Sequence, residues 1–194
     1  IVDDKGILNI DNFNFTTYNK GFSNPLIYLT GGAVTIKNSN FYDTPTIYGI
    51  ICADQSTSIN LDNVTFNNFL GSAIEGNSSY ICINNTQFMN EGSTYAISSV
   101  IDVKSDIDIF NSRFENINDG LISINSRGHY LSTPLKTYIY NTTFINNNWQ
   151  ARSHFGLDIG SSIYNSRLYS VLDNCRFYNN RGHIVVCDII NNSA

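Results

Sequence analysis

Seven short stretches of this chain alternate hydrophobic and polar positions, and each closes in the same way. The shared pattern is apolar-x-Ile/Leu-x-Asn-x-x-Phe. Its copies are LNIDNFNF (8–15), VTIKNSNF (34–41), INLDNVTF (59–66), ICINNTQF (81–88), IDIFNSRF (107–114), TYIYNTTF (137–144) and SVLDNCRF (170–177). The central Ile/Leu, the Asn and the Phe hold in every copy, and only the opening position degrades, to Thr137 and Ser170. From Phe to Phe the steps are 26, 25, 22, 26, 30 and 33 residues. Such a period marks a repeat architecture in which each unit packs on its neighbours.

Alternation predicts that the first half of each copy is a strand with one buried face. Leu8/Ile10, Val34/Ile36, Ile59/Leu61, Ile81/Ile83 and Ile107/Ile109 face in, and Asn9, Asp11, Thr35, Lys37, Asn60 and Asp62 face out. Asn is a poor strand former that tolerates left-handed backbone, so the Asn after each strand predicts a bend. Stacked copies place Asn12, Asn38, Asn63, Asn85, Asn111, Asn141 and Asn174 in one column, whose amides can donate and accept along it. That column is expected to point inward. Phe15, Phe41, Phe66, Phe88, Phe114, Phe144 and Phe177 form a second, aromatic column inside.

Two residues past each Phe comes another turn-forming corner: Thr17, Asp43, Asn68, Asn90, Asn116, Asn146 and Asn179. A further apolar run follows, as in LIYL (26–29), YGIIC (48–52), AISSVI (96–101), GLISI (120–124) and HIVVC (183–187). Each period thus holds two or three short strands joined by tight turns. The predicted fold is all-β, a single-stranded right-handed parallel β-helix (solenoid) of about seven coils with Asn and Phe ladders, its strands stacked roughly 4.8 Å apart. Helices are not expected from a chain with 29 Asn and three Glu.

Composition narrows the setting. The 194 residues are expected to form a single domain, 1–194, which reads as an excerpt or processed segment of a longer chain. With 42% hydrophobic residues the chain can fill a continuous core. A net charge of −5 argues against nucleic acid as a partner. No apolar run of about 20 residues predicts a membrane span in this segment. Neither terminus shows an amphipathic cap helix, which leaves three alternatives: further coils beyond this segment, stacking on copies of itself end to end, or irregular terminal segments.

Six Asn-x-Ser/Thr sequons occur, at Asn14, Asn63, Asn77, Asn84, Asn141 and Asn191. Asn63 and Asn141 belong to the inward column. Asn14, Asn77 and Asn84, with Asn191 next, are therefore the candidate glycosylation sites. Of the four cysteines, Cys175 and Cys187 could close a loop within the last coil; the competing expectation is that Cys52, Cys82, Cys175 and Cys187 are mostly small buried apolar side chains. No Cys-x-x-Cys is present, and neither a metal site nor a cofactor is expected.

Catalysis on polysaccharides needs clustered carboxylates. Asp11, Asp62 and Asp173 share one outward column but sit in coils one, three and seven, too sparse for a cluster. Asp102, Asp106 and Asp108 are denser and read as a solvated strand edge. His129, His154 and His183 lie on or beside loops with no paired acid nearby. No catalytic residue is assigned. The outward face of the first strand turns apolar late in the chain, at Phe110, Tyr138, Tyr140 and Val171. Aromatics in register make a stacking platform for sugar rings or a partner protein. The two longest intervals supply neighbouring loops, 125–136 and 147–168, that carry Trp149 and Arg152. Phe110, Tyr138, Tyr140, Trp149 and Arg152 are the candidate binding residues; the other reading of this face is that a loop folds back and covers it.

The repeats resemble right-handed parallel β-helix domains of surface and adhesin-like proteins in the pectin-lyase-like superfamily. Chlamydial polymorphic outer-membrane proteins and methanogen adhesin-like proteins repeat GGA-I/V and F-x-x-N. Here GGAV stands at 31–34, and F-x-x-N at Phe144–Asn147 and Phe177–Asn180. Residues and resemblance together lead to the expectation of a non-catalytic extracellular structural or adhesive segment of a cell-surface protein or self-assembling fibre, binding its own copies or surface glycans. The alternative is a carbohydrate-active enzyme, a polysaccharide lyase or glycoside hydrolase of β-helix fold with an unrecognised site.

Overall fold

The computed structural model of the chain describes residues 1, 6–16, 24–44, 49–54, 57–90, 100–117, 121–124, 135–147 and 168–181. These residues form strands joined by bends and short irregular links, with no helix among them. They build a parallel β-solenoid, as the repeats predict.

Every copy of the pattern sits directly on the next. Leu8 pairs with Val34, Val34 with Ile59, Ile59 with Ile81, Ile81 with Ile107, Ile107 with Thr137 and Thr137 with Ser170, always in parallel. The variable step length does not disturb this register. Each pairing unites equivalent positions, since a one-residue slip would turn every Ile outward. A second face is built from Ile27–Leu29, Ile51–Ala53, the start of Ile74–Asn84, the start of Ile101–Phe110, and Ile122–Ile124. These strands also pair in parallel from one turn to the next. The apolar run 183–187 lies outside the described residues.

The core fills the space between the two faces. Phe41, Phe66, Phe88, Phe114 and Phe144 are fully buried. Their rings and those of Phe15 and Phe177 form one stack, with successive centroids 4.7, 4.9, 5.2, 4.7, 5.1 and 4.8 Å apart. Ring spacing therefore equals strand spacing. Gly76 marks a close approach of two turns: its φ is +119°, and a Cβ there would run into the Ala53 carbonyl oxygen.

Two expectations need correction. The solenoid closes about four turns, not seven. Counting the pattern counts rungs of one face. On the second face the described residues stack five strands, from Ile27–Leu29 to Ile122–Ile124, which span four steps from one turn to the next. The Phe stack runs past these turns and ends on the half-buried Phe15 and the exposed Phe177. Second, the corner Asn side chains point outward: Asn38, Asn63, Asn85, Asn111 and Asn141 are exposed. Left-handed backbone at the Asn swings its own side chain to solvent and turns the next residue in.

Candidate functional site

The first corner uses left-handed backbone in all seven copies. Asn12, Asn38, Asn63, Asn85, Asn111, Asn141 and Asn174 have φ between +47° and +55°. The second corner has the same geometry at Asp43, Asn68, Asn116, Asn146 and Asn179, with φ between +49° and +56°. Asn90 does not adopt it; its side chain is buried and donates to the Phe69 carbonyl at 3.0 Å. Thr17 lies outside the described residues.

On the outside, the amides form the predicted ladder. Asn63 donates to Asn38 at 2.9 Å, Asn85 to Asn63 at 3.3 Å, Asn141 to Asn111 at 2.8 Å and Asn174 to Asn141 at 3.0 Å. The residue before the corner substitutes twice. Asn38 donates to Asp11 at 2.9 Å, and Asn111 to Asn84 at 2.9 Å.

Inside the corner stands a column the sequence reading missed. In five of the seven copies the residue after the Asn is small or hydroxylated, namely Ser39, Thr86, Ser112, Thr142 and Cys175, while Phe13 and Val64 stand there in the other two. Ser39, Thr86, Ser112 and Thr142 donate to the carbonyls of Lys37, Asn84, Phe110 and Tyr140 at 2.6, 3.0, 2.6 and 3.0 Å. Ser39 and Ser112 also accept from the backbone N–H of Phe13 and Thr86 in the turn before, at 3.1 and 3.2 Å. The hydroxyls thus satisfy backbone groups that the bend leaves unpaired. The signal was available as the Ser or Thr that follows Asn in four of the seven copies. A related inner device uses the Phe-x-x-Asn positions. Asn147 donates to the Phe114 carbonyl at 3.1 Å and accepts from the Ile117 N–H at 3.1 Å. Asn180 donates to the Phe144 carbonyl at 2.8 Å and accepts from the Asn147 N–H at 3.0 Å.

The outward face of the first strand carries the candidate binding residues. Register puts Asn84, Phe110, Tyr140 and Asp173 in one column. Cys82, Asp108, Tyr138 and Val171 form the next, and Tyr80, Asp106 and Lys136 a third. Phe110, Tyr138 and Tyr140 are therefore brought together, with Phe110 and Tyr140 as direct cross-strand partners. Tyr138 and Tyr140 are 38% and 45% exposed. Trp149 and Arg152 lie outside the described residues.

Carboxylates surround these rings. Tyr80 donates its hydroxyl diagonally to Asp108 at 2.6 Å, and this bond, with partial burial, raises the Tyr80 phenol well above its ordinary range. Asp106 accepts the backbone N–H of Lys136 at 2.8 Å. The second face repeats the tyrosine–carboxylate device, with Tyr28 donating to Asp54 at 2.7 Å. Among the described residues no cluster of three or more His, Cys, Asp or Glu has the arrangement of a metal site.

Cys52, Cys82 and Cys175 are free thiols. Burial pushes all three above the ordinary cysteine range, with nearby carboxylates acting in the same direction. Cys175 turns in at the corner and donates to the Ile139 carbonyl at 3.4 Å. Cys187, the partner considered for Cys175, lies outside the described residues.

The sequons separate by their amides. Asn77 is exposed at a register irregularity of its strand. Asn14 is exposed and accepts from Asn40 at 2.7 Å. Asn84 donates to Asp62 at 3.0 Å and accepts from Asn111, which ties both ends of its amide. Asn63 and Asn141 are exposed, contrary to the steric reason for setting them aside, and their amide nitrogens donate along the ladder. Asn191 lies outside the described residues. No described helix is long and apolar enough to cross a membrane.

No protein-family model, no curated protein and no solved structure matches the chain.

Proposed function

We propose that this chain is a non-catalytic structural and adhesive segment of an extracellular surface protein or self-assembling fibre. The observation that carries the proposal is where its polar side chains go. The Asn residues of both corners and the hydroxyls beneath them bond from turn to turn, so most of the unusual composition serves stacking. Stiffness along one axis is what such an arrangement supplies. Burial raises the described thiols above the ordinary cysteine range, which suits a packing role better than a reactive one.

The likeness of the repeats to adhesin-like and pectin-lyase-like surface domains supports the extracellular setting and the right-handed coil. The sequons support glycosylation: Asn77 and Asn14 are exposed, whereas Asn84 is half-buried with its amide bonded. Self-association end to end and binding of surface glycans are the two partner modes that suit a regular column with an aromatic face.

Electron microscopy of the native material, run beside a reducing-end assay on a polysaccharide panel, tests this reading. Filaments or an elongated stalk with no release of reducing ends are expected. Sustained release of new reducing ends would overturn it in favour of a carbohydrate-active enzyme.

A further inference from the structure

We infer that the late part of the first-strand face binds an uncharged glycan chain laid along the solenoid axis. The inference rests on the adhesive reading above and names the ligand class of its face.

The direction comes from register. Phe110 and Tyr140 are Cα partners on adjacent parallel strands. Their rings are therefore offset along the axis by one strand spacing, roughly 4.8 Å. That step is close to the length of one sugar residue in an extended glycan. Consecutive sugar rings can then lay their C–H faces on consecutive aromatic rings, which a chain running across the strands permits and one running along a strand does not. Tyr138 widens the platform by one position along the strand from Tyr140 and lies beside Asp108. The face is a regular sheet, so it suits an extended polymer better than a globular ligand.

The ligand class comes from the groups between and around the rings. Asp173 is the cross-strand partner of Tyr140 and is exposed. Asp108 gives one carboxylate oxygen to Tyr80, at 2.6 Å, and is held in place by it. Together with the Tyr140 hydroxyl and the exposed Lys136, these groups donate to and accept from sugar hydroxyls. Asp106, Asp108 and Asp173 outnumber Lys136 on this grid, and the chain carries −5 overall, so uronate or sulfate polymers are repelled. A protein partner fits less well. Protein interfaces deplete Asp and Lys at their centre, and here those residues interleave with the aromatics.

Affinity electrophoresis of the full chain tests the inference. Gels carrying hydroxyethyl cellulose or galactomannan as neutral polymers are compared with gels carrying polygalacturonate or dextran sulfate. Retardation by a neutral polymer and none by the anionic ones is expected. Tyr140→Ala and Phe110→Ala should each weaken it on the order of tenfold, the loss of one stacking contact. Tyr42→Ala, an exposed aromatic away from this grid, should leave it unchanged, and circular dichroism establishes that every variant is folded. No retardation in neutral gels, retardation confined to anionic gels, equal binding by Tyr140→Ala, or self-association abolished by Tyr140→Ala without glycan binding would each overturn the inference. None of these outcomes touches the non-catalytic reading, which the reducing-end assay decides separately.

Discussion

Asn38 donates its side-chain amide to the carboxylate of Asp11 at 2.9 Å, bypassing Asn12, which stands at the equivalent corner. The same ending recurs at the other corner, where Asn68 donates to Asp43 at 3.1 Å. Other amides of both columns also donate toward the N-terminal side: Asn63 to Asn38, Asn141 to Asn111, Asn179 to Asn146. A carboxylate only accepts, so these two runs finish on a group with nothing left to donate. The columns therefore have a direction as well as a register.

Two roles of the corner Asn can be separated at Asn63, which has φ +55°, donates to Asn38 and accepts from Asn85. Asn63→Ala loses the amide and forces a Cβ residue into left-handed backbone, at a cost of about 2 kcal/mol. Asn63→Gly loses the amide alone and should cost about 1 kcal/mol. Urea denaturation midpoints give the order. Glycine as damaging as alanine would mean that backbone conformation is not why Asn holds this position.

The aromatic stack should be unequal along its length. Phe66 is fully buried between Phe41 and Phe88, so Phe66→Ala should cost about 3–5 kcal/mol. Phe177 is 36% exposed, and Phe177→Ala should cost clearly less. Equal losses in thermal or urea unfolding would contradict the placement of the closed turns.

Much of this was legible in the sequence because each signal was short-range. Alternation at Val34/Ile36 fixes which side is in, and Asn38 fixes where the strand turns. Equivalent residues then stack with no further information, whatever the interval between copies. The number of closed turns was not legible, because the pattern marks only one face and the second-face strands, such as Ile27–Leu29, share no fixed motif. The inward assignment of Asn failed for a local reason: alternation was carried through a residue whose left-handed backbone interrupts it. At the candidate site, register alone brought Phe110, Tyr138 and Tyr140 together. The diagonal bond from Tyr80 to Asp108 joins neighbouring turns two positions out of step, and no repeat encodes it.

One irregular position should be improvable. Thr137 occupies the opening position held by Val34, Ile59, Ile81 and Ile107, is fully buried, and its hydroxyl has no hydrogen-bond partner among the described residues. Thr137→Val keeps the shape and removes the unsatisfied oxygen. It should raise stability by about 1 kcal/mol, read as a shift in the denaturation midpoint. A loss of that size would reveal a partner for the hydroxyl.

The thiols give a pH dependence. Burial raises Cys52, Cys82 and Cys175, so the folded chain holds their protons at a pH where the unfolded chain has released them. Their effect on stability is absent below the ordinary thiol value, about 8.5, and becomes a loss as pH rises from there toward the raised folded values. Iodoacetamide labelling of a Cys187→Ser chain should accelerate only above the range of free cysteine, and labelling of Cys52, Cys82 and Cys175 at the ordinary midpoint would contradict their burial.

The central claim is that equivalent residues of successive copies stack one strand spacing apart, however many residues separate them. Double electron–electron resonance on paired spin labels in the outward column measures this directly. Labels at Asp11 and Tyr140, and labels at Lys37 and Asp173, each span five strand steps, although 129 and 136 residues separate them. Both pairs should centre near the same distance, about 24 Å, and the Lys37–Tyr140 pair, at four steps, near about 19 Å. Distances that follow sequence separation, or that fail to shorten by one strand spacing for the shorter pair, would contradict the stacked solenoid.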